Sequence, residues 1–182
     1  MDTYQIYDLI ISYFMVLIVL AGLIMAYKQL KAVEKELKSN HDWNRRITSF
    51  NYSFSTDPDM LEVLSRLDNH LKISSSAGRE ISVGRINELK SNEYPKIKHD
   101  IHFALARLEY MCTAIKNGVA DESICRDLLE NRTTSFHRFF LQYIESERNR
   151  RGSENIFANI SHYAREWEKS KSKFERRNKT DK

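Results

Sequence analysis

The sequence predicts an all-α protein: a single N-terminal transmembrane helix that continues into a cytoplasmic helical bundle. Three observations predict it. Leu9 to Tyr27 is an apolar run of 19 residues broken only by Ser12 and Gly22. The rest of the chain repeats its apolar residues at spacings of three and four, with no strand-like alternation. Five glycines and two prolines in 182 residues, with 30% charged side chains, point to helices rather than a turn-rich sheet.

The anchor comes first. At 1.5 Å per residue the run spans roughly 28 Å, close to the hydrocarbon core of a bilayer. No lysine or arginine precedes Lys28, whereas Lys28, Lys31, Lys35 and Lys38 follow at once. That asymmetry predicts a cytoplasmic C-terminal side, in a bacterium the inner membrane, with residues 1–8 a short extracytoplasmic stub. A cleaved signal peptide needs a basic region before the run and a small-residue cleavage site after it, and neither is present. The expectation is a retained anchor over 9–27. Its two acids, Asp2 and Asp8, have no bases beside them, which leaves 29 bases against 23 acids in the remainder. That remainder is enough chain for one modest domain. Cys112 and Cys125 are expected to stay reduced, without the partners a zinc site needs.

Within the anchor, Asp8, Ser12, Met15, Val19, Gly22 and Ala26 recur every three or four residues and share one helical stripe. Small and polar residues on a stripe mark close helix packing. In a ring of helices the same stripe lines a water-filled lumen, with Asp8 near its outer mouth. Both readings are open from sequence. Past the membrane, over 28–55, Leu30, Val33, Leu37, Asn40, Asn44 and Ile47 continue through Asn51 to Phe54 in the spacing of a coiled-coil seam. Asparagines there weaken a seam but fix register and oligomer state. The other reading is that this face packs on the chain's own domain.

The bundle is expected over 56–168. Asp57-Pro58 opens a helix with an N-cap and a proline at its first position, and Leu61, Leu64, Leu67 and Leu71 form its stripe. Ser74 to Gly78 reads as a loop and Val83 to Leu89 as a short helix. Pro95 opens a long helix whose inward face is Ile97, Ile101, Leu105, Leu108, Met111, Cys112 and Ile115. Gly118 ends it, and Asp121 caps the next helix, with Ile124, Leu128 and Leu129. Asn131 and Arg132 are expected to interrupt that helix, with Thr133 or Thr134 capping a fresh one through Phe136, Phe139, Phe140, Tyr143 and Ile144. Ser153 is expected to cap the last helix, with Ile156, Phe157, Ile160, Tyr163 and Trp167 inward. Residues 169–182 form a basic tail, suited to anionic lipid headgroups, to RNA phosphates or to simple solvation.

Most catalytic signatures are absent: there is no phosphate-binding glycine loop, no serine-nucleophile elbow and no HExxH helix. His99 and His102 flank Asp100 at a spacing able to share a metal, but no further ligand is signalled. No metal, cofactor or DNA partner is expected. Glu109 lies in an apolar stretch and is expected to pair with Arg148 or Arg107 as a structural ion pair. Arg132-Thr-Thr-Ser-Phe-His137 fits the R-x4–6-H pattern of HEPN domains, a helical class rich in metal-independent ribonucleases. The chemistry uses a histidine as general acid and base at the RNA 2′-hydroxyl and an arginine to hold the scissile phosphate. The plain alternative is a solvated Arg132 and a half-buried His137.

The whole arrangement, about 180 residues with one anchor, a helical domain and a single R-x4-H at Arg132 and His137, resembles the small membrane-anchored accessory proteins of type VI-B CRISPR systems. The resemblance implies a homo-oligomeric, ring-like membrane pore. It also implies a functional link to an RNA-guided RNA nuclease in antiviral defence, through loss of membrane potential. Membrane lipid and further copies of the chain are then the partners, with RNA as a further one. The pair Arg132–His137 becomes a divergent HEPN motif, cutting or binding RNA or kept as an interface element. One motif per chain needs two protomers face to face to build a composite nuclease site. A second resemblance is to a broader bacterial family of membrane-anchored helical domains of unknown function. It rests on the stretch from Leu108-Glu109-Tyr110 through Gly118, Asp121 and Arg148 to Trp167.

Overall fold

The computed structural model describes residues 3–54, 57–75, 79–90 and 95–180, and these are helical with no strand among them. Residues 76–78 of the loop expected at Ser74–Gly78, and the last two residues of the basic tail, lie outside the described residues. The chain divides into two units, residues 1–44 and 45–182.

The first unit is one element. Helix α1 runs Thr3–Phe50 without a break, its last turns belonging to the second unit. It is long and apolar enough to cross a membrane, and none of its apolar stretch is buried. Leu17, Leu20, Leu23 and Ile24 are each at least half exposed.

The second unit is a bundle around one central helix. It contains α2 (Pro58–Leu71), α3 (Val83–Lys90), α4 (Pro95–Lys116), α5 (Glu122–Phe139), α6 (Leu141–Arg151) and α7 (Ala158–Thr180). Helix α4 packs against α2, α3, α5 and α7, and every inward residue read from its sequence is buried. Asp57 caps α2 by accepting from the Met60 N–H at 3.1 Å, and Asp121 caps α5 by accepting from Ser123 and Ile124. Gly118 and Gly152 end α4 and α6 at positive φ, where a β-carbon is disfavoured.

Three expectations are corrected. Asn131–Thr134 does not break a helix: Thr134 Oγ1 donates back to the Glu130 carbonyl at 2.9 Å, so the threonine is satisfied inside α5. The break falls at Phe140, which closes α5 and opens α6 within a cluster of Phe136, Phe139, Phe140 and Tyr143. Ser153 does not cap the last helix. A turn over 154–157 intervenes, Phe157 has φ 53, and α7 starts at Ala158 and runs to Thr180. Leu61 lies outside the core at 46% exposure, because α2 turns Met60, Val63 and Leu67 inward instead.

Candidate functional site

Arg132 and His137 sit on one continuous helix, α5. A step of five positions separates them by about 7.5 Å along the axis and about 140° around it. They therefore point to different sides. Arg132 is exposed and lays its guanidinium 5.6 Å from the centre of the Phe54 ring. Phe54 itself is buried in the core.

His137 faces inward and is 7% exposed. Its Nε2 has no hydrogen-bond partner among the described residues, nor has Oγ1 of Thr133, buried one turn earlier. Burial pulls the imidazole pKa down to about 4, helped by the charges of Arg165 and Arg148 and opposed by Glu168. At neutral pH this is an uncharged imidazole inside a helix bundle. In that state it can accept a proton but has none to donate.

The last turns of α1 carry a second set of contacts, all within the bundle unit. Ser49 Oγ accepts from the Asp121 N–H at 2.7 Å, and Arg45 lies 3.9 Å from the Asp121 carboxylate. Arg107 donates to the Asn51 carbonyl at 3.1 Å, covers the Tyr52 ring and pairs with Asp57 at 3.4 Å. With Arg132 over Phe54, the segment leaving α1 is gripped from α4 and α5. Arg132 thus has a structural task in this chain.

Glu109 pairs with neither arginine expected of it. Its carboxylate accepts from Asn159 N–H, Asn159 Nδ2 and Ile160 N–H at 2.8–3.0 Å, capping the start of α7 from another helix. Arg148 holds the same junction from α6, donating to the carbonyls of Ile156 and Phe157 and to Ser161 Oγ. Trp167 is 1% exposed and donates through Nε1 to Glu122 at 3.0 Å. Asp100, read beside two histidines, instead makes a two-pronged pair with Arg66 at 2.8 and 2.9 Å. His99 is exposed, His102 turns toward Glu147, and no group of three or more possible metal ligands occurs among the described residues. Cys112 and Cys125 are free and buried, and burial pushes both thiols up.

Sequence reasoning missed two buried acids with partners: Asp100, 1% exposed, and Glu147, fully buried. The available sign was position, since both fall on helix faces otherwise given to apolar residues.

On α1 the two residue sets become one. Asp8 falls within the helix, its side chain outside the described set. From Ser12, through Met15, Val19, Gly22, Ala26, Leu30, Val33, Leu37, Asn40 and Asn44 to Ile47, spacings of three and four continue without interruption. All are exposed, Leu30 by 69% and Leu37 by 64%.

Fold and contacts thus define a class, one long apolar helix followed by a helical bundle. The sequence matches the family described as Domain of unknown function (DUF4760) over residues 16–167, and the chain belongs to that family. The match takes in the stretch from Leu108 to Trp167. No curated protein and no solved structure matches the chain.

Proposed function

We propose that this protein is anchored in the bacterial inner membrane with its bundle in the cytoplasm. There it assembles through α1 into a homo-oligomeric pore. The observation that carries this reading is the continuous exposed stripe from Ser12 to Ile47. Leu30, Val33, Leu37 and Ile47 lie beyond the apolar run, where a lone chain would hold them in water. Further copies of the same helix cover them, and the asparagines at 40 and 44 then meet their own counterparts at matched levels. Ser12, Gly22 and Ala26 on that stripe suit either close helix contact or a lumen.

The resemblance to the accessory proteins of type VI-B CRISPR systems supports placing the pore in antiviral defence. It would depolarise the membrane once an RNA-guided nuclease finds phage transcripts. A membrane-tethered HEPN ribonuclease is the weaker reading, because His137 is buried and Arg132 is occupied by Phe54.

The test is the mass and shape of the detergent-solubilised protein by light scattering and single-particle imaging. A ring with an axial opening is expected, and Ser12→Leu or Gly22→Leu should impair depolarisation without preventing insertion. A monomer or a closed dimer would overturn the proposal.

A further inference from the structure

Glu147, on α6, is a fully buried carboxylate that sits beneath a group of cations. Arg150 Nε donates to Oε1 at 3.2 Å and Arg150 Nη2 to Oε2, while Arg151 Nε lies 3.4 Å from Oε2. Both arginines remain about half exposed, at 49% and 50%. Lys98, from α4, acts on the same carboxylate through its charge. His102 Nε2 lies 3.8 Å from Oε2.

Two features of this group call for a ligand. Burying a carboxylate is costly, and adjacent guanidinium groups repel, so two arginines on one acid leave a net charge of +1. Glu147 engages one edge of each arginine. Among the described residues, Arg150 Nη1 and both terminal nitrogens of Arg151 have no hydrogen-bond partner. Two half-exposed guanidinium groups sharing one carboxylate offer the donors that the oxygens of a tetrahedral dianion accept. A receptor held in place before binding loses less side-chain freedom on binding.

We propose that Arg150 and Arg151, organised by the buried Glu147, form a binding site for a phosphate monoester group. The group belongs to a small soluble molecule or to a lipid headgroup. This site is independent of the stripe on α1 and does not rest on the pore reading.

The experiment uses the full chain in nanodiscs of phosphatidylcholine. Inorganic phosphate is titrated by calorimetry at constant ionic strength. Saturable binding is expected, weakened about tenfold or more in Arg150→Gln/Arg151→Gln. Arg150→Lys/Arg151→Lys keeps the charge and loses the fork, so it should fall between. Circular dichroism confirms that each variant keeps its helix content. In parallel, melting temperatures are compared in nanodiscs with and without phosphatidic acid. Variant-sensitive saturation by inorganic phosphate supports a soluble source. A variant-sensitive rise with phosphatidic acid, without that saturation, supports a lipid source. A response that survives in the double glutamine variant, or none in either arm, overturns the site.

Discussion

Lowering the pH from 7 to 5 is expected to destabilise the bundle through His137. In the folded chain its imidazole is held near a pKa of about 4, against 6.5 for a free histidine, chiefly by burial. The folded value lies below the unfolded one, so the unfolded chain takes up the proton first. Stability from this group is therefore fully present above the unfolded pKa and is lost as the pH falls toward the folded one. Integrated over that interval, the loss is about 2 kcal/mol between pH 7 and pH 5, and about 3 kcal/mol by pH 4. Urea unfolding of the detergent-solubilised chain, followed by far-UV circular dichroism across this range, measures it. His137→Leu, apolar and without a proton to bind, is expected to lose about 2 kcal/mol less than wild type over the same interval. His102, whose pKa burial also lowers, acts in the same direction in both proteins and cancels in the difference. A variant with the wild-type pH dependence would show that His137 is not the group responsible, as would an imidazole that titrates near its free value by NMR. The result bears on chemistry as well. At neutral pH only roughly one His137 in a thousand carries the proton that a general acid must donate.

Glu109→Ala removes three hydrogen bonds from the start of α7 and is expected to cost about 2–4 kcal/mol, read from urea midpoints. Arg66→Met leaves Asp100 buried without its partner and should cost about 3–5 kcal/mol, whereas the double variant Arg66→Met/Asp100→Leu should recover most of that. Arg132→Ala gives up its contact with Phe54 and should cost about 0.5–1 kcal/mol in thermal unfolding. A loss well beyond that would mean that Arg132 carries more of the junction than its contact with the ring.

How far the sequence could be read varies with how local each determinant is. The face of α4 was legible because Ile97 through Ile115 repeat at helical spacing and all pack inward. Asp57 and Asp121 were legible as caps because a cap is a contact within four residues. In α2 two stripes overlap, and only tertiary packing chooses Met60 and Val63 over Leu61. The start of α7 was not legible. Arg148, nine residues back, holds the carbonyl of Phe157, and Glu109, some fifty residues back, accepts from the N–H groups of Asn159 and Ile160; no local pattern encodes either. The candidate site had the same limit. An R-x4-H spacing is visible in one dimension, but an unbroken α5 puts its two ends on different sides of the helix.

The stretch behind the second resemblance has a common physical logic. Glu109 caps α7, Gly118 ends α4, Asp121 caps α5, Arg148 closes the turn before α7, and Trp167 seats α7 against Glu122. Each is a joint between helices rather than a reactive group. A polar residue buried at a joint is demanding, since removing one partner strands the other. Such residues therefore bear on fold more than on reaction. The two surface features proposed above to carry function are the exposed stripe of α1 and the arginine pair over Glu147. The two kinds of residue separate by experiment. Damage at a joint should lower stability and both surface properties together. Ser12→Leu should leave the unfolding midpoint in place and remove only the property carried by α1.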